Sequence, residues 1–259
     1  MVMKTRLTWI PPIFFVIIVL LIWDILVKVN DVPSWLLPAP SAIFQAILDN
    51  VRILTSHTIT TLIEVVLGFA IALFIGVLLS SAITLSNTIE KSLYPFIIAS
   101  QTIPIIVIAP MLLVWVGYGL MPKIIVVALI SFFPIVVNTV DGMKSIDMDL
   151  ERLFKTMGAN KWDIFRKIRV PNSLPYVFSG LRIAISISVI GAVIGEWVGS
   201  SEGLGYLMIR SKPQFQTELV FAAIFILSIM GIVLFFGIGL LEKICIPWNN
   251  FRKGDNFGK

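Results

Sequence analysis

Long apolar blocks with few charged interruptions dominate the chain. No charged residue occurs at positions 65–89, 92–122 or 219–241. A helix of about 20 residues crosses a hydrocarbon core of about 30 Å, so blocks of this length can span a membrane. Their polarity does not alternate, which distinguishes them from membrane β-strands. The pattern predicts an all-α integral membrane protein with a single transmembrane domain over residues 1–259 and its core at 58–245.

Six transmembrane helices are predicted from these blocks. The first follows Lys4 and Arg6, as a secretory signal would, but no small-residue cleavage site comes after it, and we interpret it as a retained N-terminal helix at 7–29. Three prolines in the third segment predict a kinked or broken helix, which a membrane tolerates where protein or water covers the freed backbone groups. The predicted segments are Leu7–Val29, Thr60–Leu85, Leu93–Val116, Lys123–Val140, Leu174–Val198 and Leu219–Ile244.

The distribution of basic residues predicts the orientation of these helices. Only 14% of the 259 residues are charged, and the formal net charge is +5; soluble proteins have about 25% charged residues. If the N-terminus is cytoplasmic, 15 Lys and Arg residues lie in inner segments and 5 in outer ones. The positive-inside rule therefore predicts that the N and C termini are both cytoplasmic. This anchoring explains the net charge, so no nucleic-acid partner is expected.

The first outer loop, at residues 30–57, begins with a proline-rich stretch. Ser41 has the character of a helix N-cap, and apolar residues follow it at helical spacing. We expect a short amphipathic helix that packs over the bundle.

The inner loop at residues 141–171 has the most informative pattern. Apolar residues at helical spacing precede Gly158, and a second amphipathic segment follows it. Glycine at this position suits the positive-φ turn that ends one helix before another begins. The loop is predicted to form a helix–turn–helix whose apolar side packs on the bundle or on another protein. Attraction of its basic residues to anionic lipid is the alternative interpretation.

The spacing from Gly158 to Pro171 resembles the cytoplasmic signature of ATP-binding-cassette (ABC) importer permeases. In that signature Gly is followed by nine residues, Ile, one residue, Leu and Pro, and here Ile168 and Val170 stand at the Ile and Leu positions. The Glu-Ala-Ala triplet of the signature is replaced by Arg-Leu-Phe at 152–154. The stretches 32–41, 109–119, 132–135, 175–184 and 191–199 are similar to the same family.

This resemblance implies a type I importer permease fold in the inner (plasma) membrane of a prokaryote. It is greatest to the branch of nitrate, sulfonate, taurine and thiamine-pyrimidine-precursor permeases, and a small polar solute is expected, with the heteroaromatic precursor favoured. The implied partners are a second copy of the chain in a homodimer, a separate ATP-binding subunit, an extracytoplasmic solute-binding protein and membrane lipid. The residues implied in ATPase coupling are Glu151, Leu153, Phe154, Met157, Gly158, Ala159, Trp162, Phe165, Ile168 and Pro171.

Polar residues at membrane depth are costly, and each needs a cavity or a partner. They are candidates for the translocation path. Hydrogen bonds between helices are an equal alternative for Gln101 and Thr102, and local structure beside Gly195 and Gly199 is the favoured interpretation of Glu196. We expect Glu64 and Glu196 near the outer ends of their helices, where water reaches them. The candidate path residues are Gln101, Thr102, Asn138, Ser186 and Glu196.

Several chemistries are not expected of this chain. It has no Gly-x-x-x-x-Gly-Lys-Ser/Thr phosphate loop, so it is not predicted to be an enzyme, and ATP hydrolysis is expected on a separate subunit. One histidine and one cysteine support neither a metal site nor a disulfide, and no cofactor is predicted. The alternative function is an ion-coupled secondary transporter, which the lack of a convincing internal repeat disfavours.

Overall fold

A computed structural model describes residues 10–248, and this part of the chain is helical without strands. A five-residue π-helical turn at Phe165–Arg169 connects α8 to α9, and a short 3₁₀ turn at Lys212–Gln214 follows α10. The α-helices are α1 (Ile10–Val29), α2 (Pro40–Asp49), α3 (Val51–Leu85), α4 (Asn87–Ser100), α5 (Ile105–Val116), α6 (Leu120–Lys144), α7 (Met148–Thr156), α8 (Lys161–Ile164), α9 (Val170–Trp197), α10 (Leu204–Ser211) and α11 (Thr217–Cys245).

Four helical stretches of the described chain are long and apolar enough to cross a membrane. They are α3, α6, α11 and the continuous helix from Lys161 to Trp197 that contains α8 and α9. The pair α4 and α5 also qualifies, but the two helices are bent by 100° at the break between them. The third predicted span is thus interrupted, as its prolines indicated. Six spans, with α1 as the first, and cytoplasmic termini remain predictions.

The helices α3 and α6 run in the same direction. Gly68 lies against Val127, and Gly76, two turns further along α3, lies against Ile135, two turns further along α6. Because the two helices are parallel, the chain returns from the end of α3 to the start of α6 through α4 and α5. This return path supports α4 and α5 as one broken crossing.

The central packing of the bundle is between α6 and α9, which are antiparallel. Gly195, near the end of α9, faces Lys123 near the start of α6, and Gly142 faces Tyr176 at the opposite end. Small residues on one helix let the backbone of the other approach closely. Gly191 and Gly195 therefore pack within one subunit.

Helix α3, which corresponds to the second predicted span, starts earlier than the sequence predicted. It begins at Val51 and not at Thr60. The hydroxyl of Thr55 donates to the carbonyl of Val51, and that of Thr58 donates to the carbonyl of Leu54. These bonds satisfy the hydroxyl groups within the helix. The polar residues at 51–60 are therefore helical and run without a break into the apolar part of α3.

The short outer helix α2 is present, but Ser41 does not cap it. The N-cap is Ala39, and Pro40 is the first helical residue, a position where its missing N–H costs nothing. Ser41 instead donates from its hydroxyl to the carboxylate of Asp24 on α1, at 2.7 Å. This bond attaches α1 to the outer loop.

Candidate functional site

The loop at residues 141–171, for which the sequence predicts an inner position and ATPase coupling, is called the coupling segment below. Between the end of α6 and the start of α9 it contains α7, α8 and the π-helical turn. A turn at Gly158, whose φ is +85° as the sequence predicted, joins α7 to α8. The N–H of Gly158 donates to the carbonyl of Lys155, and that of Ala159 donates to the carbonyl of Phe154, both at 3.0 Å. This pair of bonds is a Schellman motif, which satisfies the last carbonyls of α7 and fixes the direction of the exit.

The start of α8 is fixed as firmly as the end of α7. The side chain of Asn160 accepts from the N–H of Asp163 at 2.9 Å, and the carboxylate of Asp163 accepts from the N–H of Asn160. Such a reciprocal capping box satisfies two helix N–H groups at once. The turn between the two helices is therefore defined by hydrogen bonds on both sides.

The coupling segment is anchored to the transmembrane bundle. The side chains of Phe165 and Ile168 are buried. Arg169 donates to the carbonyl of Thr84, in the last turn of α3, at 3.0 Å, and to the carboxylate of Glu151 on α7 at 3.2 Å. One guanidinium thereby links α7, α3 and the start of α9.

Glu151 is occupied within its own chain. It pairs with Lys155 at 2.7 Å and with Arg169 at 3.2 Å. Hydrogen bonds from Lys155 and Arg169 hold the pKa of the Glu151 carboxyl below its usual value. This carboxylate thus holds α7 to the bundle.

The other predicted coupling residues differ in exposure. Phe154 and Ala159 are half-buried, and Pro171 is exposed. Trp162 stacks on Phe165 with 5.4 Å between ring centroids. Three apolar side chains point away from the bundle and form what we call the docking face: Leu153, Met157 and Trp162, which are 54%, 74% and 59% exposed.

The candidate path residues fall into two groups. Gln101 and Thr102 are exposed in the break between α4 and α5. Asn138 and Ser186 are half-buried and donate to carbonyls of their own helices at 2.8 and 3.0 Å. Ser186 also lines an apolar groove of about 610 Å³ between α9 and α11. Glu196 is buried inside the subunit and does not face open space.

A larger cavity, of about 1280 Å³, opens between the coupling segment, α9 and α11. Arg182 lines it and forms an ion pair with Glu242 of α11. Its guanidinium lies 5.6 Å from the ring centroid of Phe235. Arg182 therefore joins α9 to α11.

A buried polar cluster lies at the opposite end of the bundle, at the start of α6. We call it the outer cluster, and its side chains are His57, Thr61, Glu64, Lys123 and Glu196. The ammonium of Lys123 lies 2.7 Å from Glu64, and the hydroxyl of Thr61 donates to Glu196 at 2.6 Å. Glu64 and Glu196 are only 0% and 1% exposed, so the expectation that water reaches them is wrong. Packing of α3 and α9 against α6 covers both carboxyl groups.

The outer cluster also binds the N-terminus of α10. Three consecutive backbone N–H groups, at 203–205, donate in turn to Nδ1 of His57, to the hydroxyl of Thr61 and to the carboxylate of Glu196. The first N–H groups of a helix have no partner inside the helix, and here side chains of α3 and α9 supply one. The segment between α9 and α11 that contains α10 is thereby attached to the bundle.

Lys123 and Thr61 were not identified as site residues from the sequence. The signal available was weak: Lys123 and Glu64 each end an apolar block, and only the fold brings them together across 59 residues of chain. Charged residues at block ends more often mark a membrane boundary.

Comparisons with known proteins agree with this architecture. Residues 72–244 match the family described as the inner membrane component of binding-protein-dependent transport systems. The formylaminopyrimidine transport permease protein ThiX of Halalkalibacterium halodurans is 42% identical over 247 residues, covering 95% of this chain and 98% of that protein. The riboflavin transport system permease protein RibX of Chloroflexus aurantiacus is 34% identical over 235 residues, covering 89% and 87%.

The fold is also found among solved structures. A chain of the inward-facing MetNI methionine ABC transporter superposes with a TM-score of 0.59 at 22% identity, covering 75% of this chain and 94% of that one. The relatives are named as transport permeases and not as enzymes, in agreement with the prediction for this chain. The chain belongs to the family of binding-protein-dependent ABC importer permeases, the membrane components of these transport systems.

Proposed function

We propose that two copies of this chain enclose the translocation path of an importer and that each couples to a separate ATP-binding subunit through the docking face. A solute-binding protein delivers the solute to the opposite, extracytoplasmic side. The observation that supports the coupling role is the exposed, apolar docking face. It lies on a segment whose turn is fixed by hydrogen bonds and which Arg169 anchors to α3.

The docking face has the composition of a protein interface. Methionine and aromatic residues are enriched at such interfaces, and Met157 and Trp162 flank the Gly158 turn. The positive-inside rule predicts that this segment is cytoplasmic. Exposed apolar side chains there contact water unless another protein covers them. A surface that is both rigid and apolar suits a contact that transmits force.

The proposed solute is a pyrimidine precursor of thiamine. The 42% identical relative is named for formylaminopyrimidine, and the 34% identical relative for riboflavin, so both names point to heteroaromatic solutes. Relatives named for aliphatic sulfonates and taurine are 26% and 25% identical. The polar side chains Gln101 and Thr102, exposed where the α4–α5 span is broken, are the proposed contacts for such a solute along the path.

The coupling role is tested at Gly158. A Cβ at this position would meet no atom within 4 Å, so a substitution acts through the φ of +85° and not through a clash. We expect Gly158→Val to lose solute uptake while the basal ATPase rate of the assembled complex remains, because a β-branched residue does not adopt this φ. Gly158→Asn is the matched control, because asparagine tolerates it. Wild-type uptake in Gly158→Val would remove the coupling assignment.

The solute is tested separately, in proteoliposomes that contain the permease with the ATP-binding and solute-binding subunits that co-purify with it. We expect ATP-dependent uptake of formylaminopyrimidine in preference to riboflavin and taurine. Preference for either competitor would reject the solute and leave the coupling role intact. Uptake by the permease alone that follows an ion gradient would instead support a secondary transporter.

A further inference from the structure

Glu64 is buried with one carboxyl oxygen that no donor reaches. Its Oε1 accepts a hydrogen bond from the ammonium of Lys123 at 2.7 Å. Its Oε2 has no N–H or O–H donor among the described residues, although the side chain is fully buried. A buried acceptor without a donor is rare, and each one calls for a specific explanation.

The carboxyl group of Glu196 lies beside Glu64 in the same cluster, since it accepts from Thr61, one turn before Glu64 on α3, at 2.6 Å. Both oxygens of Glu196 already have donors, Oε1 from the hydroxyl of Thr61 and Oε2 from the N–H of Gly205. Glu196 is thus arranged as an ionised, acceptor-only group. Two ionised carboxylates cannot hydrogen-bond to each other, whereas one proton on Glu64 makes its Oε2 a donor.

The charges around the pair lead to the same conclusion. Lys123 faces it from α6, and His57, two turns before Glu64 on α3, uses Nδ1 to accept the N–H of Gly203. From α10 come backbone N–H groups, and no charged side chain of that helix contacts the pair among the described residues. With both carboxyl groups ionised, this buried site would hold two negative charges and one positive charge. A single proton makes it neutral, which a site shielded from water strongly favours.

We propose that the outer cluster is a proton-binding site, in which Glu64 holds one proton on Oε2 and donates it to the carboxylate of Glu196. The bound proton joins α3 to α9 beside the N-terminus of α10. Because the hydrogen bond between the two carboxyl groups exists only while the proton is bound, the cluster loses stability as pH rises and the proton leaves. The outer end of the bundle is therefore expected to loosen under alkaline conditions.

The proton is observed directly by infrared spectroscopy of the protein in membranes. We expect a carbonyl band of a protonated carboxylic acid at neutral pH in the wild type. It should be absent in Glu64→Gln, and it should also be lost in Glu196→Gln, because Lys123 alone then balances the charge of Glu64. Glu90→Gln is the matched control, since Glu90 forms a partly exposed pair with Lys144, and it should keep the band. A neutral-pH spectrum without the band, or a band that Glu64→Gln retains, would overturn the proposal.

Thermal unfolding gives a second readout. The amide introduced by Glu64→Gln can donate to Glu196 at every pH, so this variant should not share the alkaline fall in Tm of the wild type. Glu196→Gln should be less stable at every pH. Thr61 and Gly205 each donate to one oxygen of Glu196, and in the variant the NH2 group of the amide would face one of these donors. Equal alkaline falls in Tm for wild type and Glu64→Gln would contradict the proposal.

If Glu64→Gln does not assemble, Lys123→Met decides the question. Removing the cation strengthens proton binding, so the infrared band should persist to higher pH than in the wild type. A band that disappears at the same or lower pH would refute the assignment.

Discussion

Replacing Lys123 with methionine removes the cation that pairs with Glu64 at the buried junction of α3 and α6. The side chain of Lys123 is 10% exposed and that of Glu64 is 0% exposed, so water replaces little of the lost interaction. Methionine is chosen because its unbranched stem preserves the contact of residue 123 with Gly195 on α9. The change therefore removes charge and hydrogen bonding more than packing.

The magnitude follows from this burial. Removing one partner of a buried ion pair costs about 3–5 kcal/mol. Here the single negative charge that Glu64 and Glu196 hold at neutral pH would stay buried without its cation. The matched control is Lys144→Met, which removes a cation from a pair with Glu90 whose side chains are 38% and 33% exposed. A pair of that exposure contributes about 0–1 kcal/mol. We expect the unfolding equilibrium to shift roughly a hundredfold or more for Lys123→Met and at most several-fold for Lys144→Met.

The assay is equilibrium unfolding in detergent, with tryptophan fluorescence followed as denaturant is added. The double variant Lys123→Met/Glu196→Gln removes the surplus negative charge and should recover part of the loss, since neighbouring substitutions in one network are not additive. The reasoning is refuted if Lys123→Met and Lys144→Met unfold at the same denaturant concentration. Such a result would mean that Lys123 is solvated and that the outer cluster is open to water.

Two further predictions concern helix packing and the coupling segment. A Cβ on Gly68 would lie 2.5 Å from Val127, so Gly68→Ala should destabilise the bundle by about 1–3 kcal/mol. Gly237→Ala is the control: a Cβ there would meet nothing within 4 Å, so this change should be neutral or stabilising by up to about 1 kcal/mol. Equal effects of the two substitutions in denaturant unfolding would contradict the close contact at Gly68. Glu151 bonds to Lys155 and Arg169, and these bonds lower the pKa of its carboxyl group. The stability they give is therefore complete above pH 4.5, the usual pKa of glutamate, and is lost as the pH falls through the lowered pKa. Hydrogen exchange of α7 should therefore show protection that falls at acid pH in the wild type, and Glu151→Gln should show weaker protection that does not change with pH.

The sequence predicted those features that depend on nearby residues. The length of an apolar block determines whether it can span a membrane, so five of the six predicted segments correspond to long helices or to the broken pair α4–α5. The turn at Gly158 was also predictable, because a Schellman motif is completed by residues within a few positions of each other. The start of α3 was missed because hydroxyl groups that bond to their own helix look like a polar loop in the sequence.

The outer cluster could not be predicted, since its contacts join distant parts of the chain. Thr61 and Glu196 are separated by 135 positions, and Thr61 and Leu204 by 143. Glu196 was a candidate for the translocation path because a charged group at membrane depth needs a cavity or a partner, although local structure was the favoured interpretation. Only the fold shows that its two oxygens are occupied by Thr61 and Gly205 inside one subunit.

The continuous helix from Lys161 to Trp197 connects the two sites. Its 37 residues extend about 55 Å at 1.5 Å per residue, from the docking face to the outer cluster. Trp162 lies at one end and Glu196 at the other, and close packing on α6 restrains the helix between them. If an ATP-binding subunit displaces the docking face, as proposed, the helix can absorb the movement only near its π-helical turn and at Pro171 and Pro175 just after it. The displacement must then reach the bonds of Glu196 to Thr61 and Gly205, so the strength of the outer cluster influences how readily the outer end of the bundle opens.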